Sequence, residues 1–180
     1  MWKVIIAAVL VISATSVWAE TYKKTYSKGS WSLYQVDGMK IRGPNGRDEL
    51  IDDLCLAAYQ SPKASLKFAM APAVEAARRP SVQNYVWVQV ASENWNFRSQ
   101  RASAGLSVQV SSYVERRAQY EGVAITFGVP DFKKTFGIFL MFAGTRETID
   151  VLDSRGKVIA RFPADGFSEV RNKLFACAGV

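Results

Sequence analysis

The stretch Tyr85-Val-Trp-Val-Gln-Val-Ala91 sets the fold class predicted for this chain. Valine, tyrosine and tryptophan are favoured in strands because their side chains pack well on a pleated, half-buried surface. We therefore predict a central β-strand over residues 85–91, and the neighbouring segments are interpreted from this strand outward.

Short apolar or alternating segments lie on both sides of this strand. Leu66, Phe68 and Met70 alternate with smaller or polar residues over 65–70, and this period of two predicts a half-buried strand. Further strands are predicted over residues 30–36, 54–59, 106–113 and 123–129. Turns or loops are predicted over residues 37–48, 92–103 and 112–121.

The last third of the chain predicts two helices and a hairpin. Apolar residues over 131–143 have the spacing of one helix face, although a strand over 137–142 fits the same run. Asp153-Ser-Arg-Gly156 separates two strand-like segments, 148–152 and 157–162, which predicts a hairpin with a positive φ at its glycine. A second helix is predicted over 168–178, with Ser168 as its cap and Gly179 as its end.

These elements predict the α+β class. The expected architecture is a mainly antiparallel β-sandwich or strongly curved sheet of six to eight strands. One short helix precedes the C-terminal hairpin and a second helix follows it. The length of the chain is that of a single domain, which we place over residues 30–180.

The first nineteen residues have the pattern of a secretory signal peptide. Lys3 gives a positive start, residues 4–12 are apolar, and Ala19 is a small residue before the expected cleavage site. The apolar run is shorter than the ~20 residues that span a bilayer, and no membrane span is predicted. We expect a periplasmic or secreted protein with a flexible lead-in over residues 20–29.

The chain has two cysteines, Cys55 and Cys177. In an oxidising compartment an even count predicts one disulfide, with two separate buried thiols as the alternative. Cys177 shares a helical face with Phe167, Val170 and Leu174, so the bond would attach the last helix to the sheet. In the chain-entropy model, closing such a long loop contributes about 4–5 kcal/mol.

The chain has no histidine. Its absence excludes serine–histidine–aspartate and cysteine–histidine catalysis and the helical zinc-protease motif. Two cysteines alone are too few for a zinc site. Glu49, Asp52 and Asp53 lack the spacing of an EF-hand and predict a solvated turn or the start of a helix. We predict no catalytic residues, no cofactor and no metal site.

The charge balance favours a solvated, soluble surface, with a face that attracts anionic partners as the alternative. The chain carries 23 Lys and Arg against 16 Asp and Glu, a net charge of +7. Its basic residues are scattered in pairs such as Arg78-Arg79 and Arg116-Arg117, a distribution that a solvated surface explains. The predicted partner is a protein or an anionic envelope component such as a lipid headgroup or glycan. Because the chain is expected to be exported, no nucleic acid partner is predicted.

The best candidate binding surface combines Trp95, Phe97, Arg98 and Arg101. Tryptophan stacks on sugar rings or anchors interfaces, and arginine is enriched at interface hot spots. For the two aromatic residues we favour a different interpretation, in which Trp95 and Phe97 begin a strand and pack inside. The surface predicts a non-enzymatic binding protein.

Two other functions stay open. A hydrolase of envelope polymers would need two carboxylates across a cleft, and its candidates are Glu93, Glu115, Glu121 and Asp131. An inhibitor or chaperone of another exported protein is the third possibility, because small disulfide-bonded β domains often serve such roles.

The closing segment Arg161-Phe162-Pro-Ala-Asp-Gly166-Phe167-Ser168 resembles one family of bacterial proteins when it is taken with the Trp31 strand, Cys55 and Cys177. The resemblance is to the invasion-associated locus B family of secreted or periplasmic proteins. It implies an envelope location and an association with host-cell colonisation. No catalytic residues are established for that family, so the resemblance implies a scaffold and a location without a reaction.

Overall fold

The computed structural model describes residues 21–42, 48–134, 136–145 and 147–180. The predicted signal peptide, residues 1–19, lies outside the described residues. Within them the chain forms twelve strands and three α-helices. The elements are β1 (Thr21–Lys28), β2 (Trp31–Asp37), β3 (Met39–Arg42), β4 (Asp48–Ile51), β5 (Leu54–Gln60), β6 (Ala64–Met70), α1 (Ala73–Arg78), β7 (Val86–Ser92), β8 (Phe97–Val108), β9 (Ser111–Gly122), β10 (Ala124–Val129), α2 (Phe136–Ala143), β11 (Thr148–Leu152), β12 (Val158–Pro163) and α3 (Phe167–Ala178).

Ten strands form one antiparallel sheet that does not close on itself. Its order is β1-β2-β5-β6-β7-β10-β9-β8-β11-β12, and β3 pairs with β4 as a separate hairpin. β7 lies in the middle, between β6 and β10, as predicted. Its valines at 86, 88 and 90 are buried on one face of the sheet. The antiparallel sheet and three helices confirm the α+β, mainly antiparallel interpretation, although the sheet has ten strands where six to eight were expected.

The sheet is so strongly curved that its two ends meet. The ring of Tyr59 in β5 lies 5.5 Å from that of Phe162 in β12, although six strands separate them in the sheet order. Near the edges, the indole nitrogen of Trp31 donates a hydrogen bond to the carbonyl oxygen of Pro163. The architecture is therefore one curved sheet rather than two packed sheets.

The inner, concave face of the sheet holds the main core and the two longer helices. The side chains of Phe136 and Phe139 in α2 are fully buried. Those of Phe167 and Leu174 in α3 are fully buried as well. Between the helices, the buried Arg171 donates hydrogen bonds to the carbonyl oxygens of Leu140 and Met141, 3.0 and 3.1 Å away. This cation satisfies carbonyls at the end of α2, where the helix dipole favours positive charge.

On one half of the sheet, the outer face is covered by other parts of the chain. There the β3–β4 hairpin and residues 71–82 enclose a second, smaller apolar cluster, formed by Val36, Ile51, Leu54, Leu56, Ala58, Ala69, Ala71 and Val82. On the other half, the outward residues of β8 and β9 are largely exposed.

The predicted disulfide is present. Cys55 in β5 and Cys177 in α3 are bonded, with their Cα atoms 6.0 Å apart and 122 residues between them in sequence. The bond attaches the last helix to the inner face of the sheet, as expected from the position of Cys177 on that helix.

The predicted flexible lead-in is wrong for residues 21–28, which form the edge strand β1. β1 pairs along β2 from Thr21–Asp37 to Lys28–Trp31. The side chains of residues 22–25 are exposed, so the segment has a polar composition while its backbone is paired. Lysines on such an edge discourage pairing with another chain.

The middle of the chain also differs from prediction. Residues 106–113 were expected as one strand, but the chain turns at Gln109 and Val110 between β8 and β9. The expected loops over 92–103 and 112–121 are instead mostly strand, because β8 and β9 have twelve residues each. The hairpin around Gly156 is present, and this glycine has a φ of 75°.

The two predicted helices are present with shifted starts. α2 begins at Phe136 rather than at 131, and the described residues before it, 131–134, form turns. α3 is capped by Gly166 at φ 79°, not by Ser168, and it ends at Gly179 as predicted. No helix among the described residues has the length and apolar character needed to cross a bilayer.

Candidate functional site

The structure places the two predicted aromatic site residues against the inner core. Trp95 and Phe97 are half-buried, and their ring centroids lie 5.2 Å apart. The ring of Phe97 meets the buried Tyr120 edge-on at 5.0 Å. Both aromatic residues pack against the main core, so they close its edge at the start of β8.

The two predicted arginines lie on the other, outer side of the same strand. A β-bulge interrupts the β8–β9 pairing between Phe97 and Gln100, so Arg98 and Ser99 together face the single residue Glu121. Arg101 pairs with Gln119, whose side-chain amide donates a hydrogen bond to Ser99 Oγ at 3.0 Å. Arg98 and Arg101 are both exposed, and they lie on the opposite face of the sheet from the aromatic pair.

A second bulge brings two more arginines to this face. The β8–β9 register shifts again between Ala102 and Ala104, so Arg116 and Arg117 together lie opposite Ser103. Both are exposed, whereas the following Ala118 is buried on the inner face. Arg117 is the diagonal neighbour of Arg101, a separation of about 7–8 Å between backbone positions.

We call these four residues, Arg98, Arg101, Arg116 and Arg117, the arginine face. The sequence interpretation missed two of its members because it placed Arg116 and Arg117 in a loop. The usable signal was the alternation of Ala118 and Tyr120 with the polar residues Arg117, Gln119 and Glu121.

The charges of the arginine face are not neutralised by described neighbours. No carboxylate of the described residues lies within ion-pair distance of its four guanidinium groups. Arg161, another exposed arginine, differs in this respect. It forms an ion pair with Asp150 and donates two hydrogen bonds to its carboxylate, at 2.7 and 3.0 Å. The arginine face can therefore accept an external anion without first breaking a described ion pair.

Glu115 holds the second bulge. Its carboxylate accepts hydrogen bonds from the Tyr113 hydroxyl, at 3.1 Å, and from the backbone N–H of Arg117, at 2.9 Å. Burial, and then the Glu115 charge, raise the pKa of Tyr113 above its ordinary value. These two hydrogen bonds fix the backbone from which Arg116 and Arg117 project.

The other candidate carboxylates have separate environments. Glu93 and Glu121 are exposed, and Asp131 forms an ion pair with Lys134 at 2.7 Å. A cleft of about 470 Å³ on the described surface is lined by different acids, Asp52, Asp53 and Glu75. Glu75 is paired there with Arg78 and Arg79. Among the described residues, no group of three His, Cys, Asp or Glu is placed to hold a metal ion.

Comparison of the chain with protein-family models, with curated proteins and with solved structures returned no match.

Proposed function

We propose that this chain is an exported, non-enzymatic bacterial envelope protein that binds an anionic envelope component through the arginine face. The supporting observation is a cluster of four exposed arginines without a described carboxylate partner, on the open half of the outer sheet face. Like charges held together repel one another, and an external polyanion relieves that repulsion on binding.

The chemistry of the partner follows from arginine itself. A guanidinium group binds a carboxylate, phosphate or sulfate through two parallel hydrogen bonds, and it stays charged at any physiological pH. Neighbouring strands present side chains about 5 Å apart across the sheet and 7 Å along it. A polymer with regularly repeated acidic groups, such as an anionic glycan, matches such a row better than a single small anion does.

Two further features support export and an envelope location. Residues 1–19 have the pattern of a secretory leader. The Cys55–Cys177 disulfide is compatible with an oxidising compartment. The proposed location is also the one that the resemblance to the invasion-associated locus B family implies, and an association with host colonisation would follow from it.

The test measures binding of the processed protein to two probes, dextran sulfate and neutral dextran. We expect binding to the sulfated polymer alone, weakening as salt rises from 50 to 300 mM because the Debye length shortens. The double substitution Arg101→Gln with Arg117→Gln should weaken binding about tenfold or more, since each lost charge-assisted hydrogen bond is worth ~1.5–3 kcal/mol before solvation at the surface reduces it.

A matched control removes the same charge elsewhere. Arg155 and Lys157 are exposed in the β11–β12 turn, and Arg155→Gln with Lys157→Gln lowers the net charge equally. This control should keep most of the affinity. Equal losses in the two double variants would mean that net charge alone attracts the polymer, and the arginine face would then have no special role.

A further inference from the structure

Helix α2 is apolar on both of its faces. Its sequence, Phe-Gly-Ile-Phe-Leu-Met-Phe-Ala, contains no polar side chain. One face is buried in the main core. The opposite face is not, because Ile138, Met141 and Phe142 are 54%, 55% and 41% exposed. Their spacing of three and four residues puts them side by side on one stripe, which we call the α2 stripe.

Basic residues lie directly before the α2 stripe. Lys133 and Lys134 are both exposed in the turn that leads into the helix. Lys134 is paired with Asp131, whereas Lys133 has no ion-pair partner among the described residues. An exposed apolar patch of this kind marks a protein or membrane contact, and a lysine beside it is attracted to an anionic surface.

We infer that the α2 stripe docks on the surface of an anionic phospholipid bilayer. Ile138, Met141 and Phe142 enter the boundary between headgroups and acyl chains, and Lys133 lies at the level of the lipid phosphates. The charge of the chain favours this occupant over a second copy. Two chains that each carry a net charge of +7 repel one another, whereas an anionic surface attracts them.

This inference is independent of the proposed function. α2 packs on the inner side of the curved sheet, and the arginine face lies on its outer side. Variants of one surface therefore leave the other intact, and the two proposals can fail separately.

The test is flotation of the processed protein with two kinds of vesicle, pure phosphatidylcholine and phosphatidylcholine with a fifth of phosphatidylglycerol. We expect partitioning into the anionic vesicles. Met141→Ser with Phe142→Ser should reduce partitioning about tenfold or more, because apolar area no longer leaves water. Lys133→Gln should reduce it about fivefold, the loss expected for one interfacial charge.

The control uses an equally exposed apolar residue on another element. Val114 in β9 is 56% exposed, and Val114→Ser should partition like the parent chain. Circular dichroism and the melting temperature verify that each variant is folded. A second readout places a fluorophore at the stripe: Phe142→Trp should shift its emission to the blue on anionic vesicles, and Val114→Trp should not.

Four results would overturn the inference. One is undiminished partitioning of the Met141→Ser, Phe142→Ser variant. Another is unchanged emission of the Phe142→Trp variant on anionic vesicles. The third is a dimer in solution that the serine substitutions dissociate, since a second copy would then cover the α2 stripe. Loss of vesicle binding only in the Arg101→Gln, Arg117→Gln variant would assign the lipid contact to the arginine face instead.

Discussion

The indole nitrogen of Trp31 lies 2.9 Å from the backbone carbonyl oxygen of Pro163 and donates a hydrogen bond to it. Trp31 begins β2, next to one edge strand, and Pro163 ends β12, the other edge strand. The Trp31 ring is fully buried and lies 4.5 Å from that of Phe167. One side chain thus joins the two ends of the curved sheet and fills the space beneath the last helix.

Replacing Trp31 with phenylalanine removes the donor and part of the ring volume. We expect Trp31→Phe to lower the free energy of unfolding by about 2–4 kcal/mol, because a partly buried carbonyl loses its partner and a cavity remains in the core. Urea denaturation followed by circular dichroism measures the change. Trp95→Phe, at a half-buried site, should cost clearly less, and equal costs would contradict the role given to Trp31.

Gly166 and Lys28 approach closely where the same two ends meet. Gly166 has a φ of 79°, and a Cβ atom on it would overlap the carbonyl oxygen of Lys28. Gly156 has a similar φ, 75°, but open space around it. We expect Gly156→Ala to cost about 1–2 kcal/mol from backbone strain alone. Gly166→Ala should cost a further ~1–3 kcal/mol for overpacking. Thermal unfolding of the two variants compares these costs, and similar melting temperatures would show that the approach tolerates a methyl group.

The Cys55–Cys177 disulfide closes a long loop between the sheet and α3. We expect Cys55→Ala with Cys177→Ala to lower the free energy of unfolding by about 2–5 kcal/mol, since the unfolded chain regains conformational freedom. Denaturation with and without a reductant provides the comparison. The reductant should destabilise the parent chain and leave the double variant unchanged. A parent chain insensitive to full reduction would mean that packing alone holds α3 in place.

Alkaline pH should destabilise the fold through Tyr113. Burial and the Glu115 charge raise the pKa of Tyr113 in the folded state, so the folded chain holds this proton more tightly than the unfolded chain. The contribution of Tyr113 to the free energy of unfolding is fully present below the ordinary tyrosine pKa of about 10. It is lost as the pH rises through the higher pKa that Tyr113 has in the folded chain.

The measurement is the free energy of unfolding in urea between pH 8 and pH 11.5. Above pH 10 it should fall more steeply in the parent chain than in Tyr113→Phe, which has no proton to release there. Below pH 9 the two curves should run parallel. Parallel curves over the whole range would show that Tyr113 titrates in the folded chain as it does in the unfolded one.

The sequence predicted those elements whose apolar residues either alternate with polar ones or form a short unbroken run, as in β5 and α2. The strands around Phe68 and Val88 alternate without interruption, and the C-terminal hairpin and α3 are bounded by glycines. β8 and β9 were missed for a physical reason. Their bulges break the period of two, their outer faces carry arginine, and the turn at Gln109 and Val110 contains no glycine or proline.

The order of strands and the exact site could not be read from local patterns. The chain passes from β7 to β8, but β7 pairs with β10, and no short-range signal specifies that exchange. Only part of the candidate site was predicted, because local patterns do not specify which strands pair or in which register. Arg98 and Arg101 were identified from composition, while their grouping with Arg116 and Arg117 depends on the register between two strands.

The two bulges of the β8–β9 ribbon each hold one residue beyond the regular pairing. Such a residue does not take part in the β8–β9 pairing. Deleting one codon, that of Arg98 or that of Arg116, would therefore make the pairing regular at that bulge. Every inward side chain would still face the core. Evolution can therefore change the cationic character of this surface by gaining or losing one codon, without redesigning the hydrophobic interior behind it.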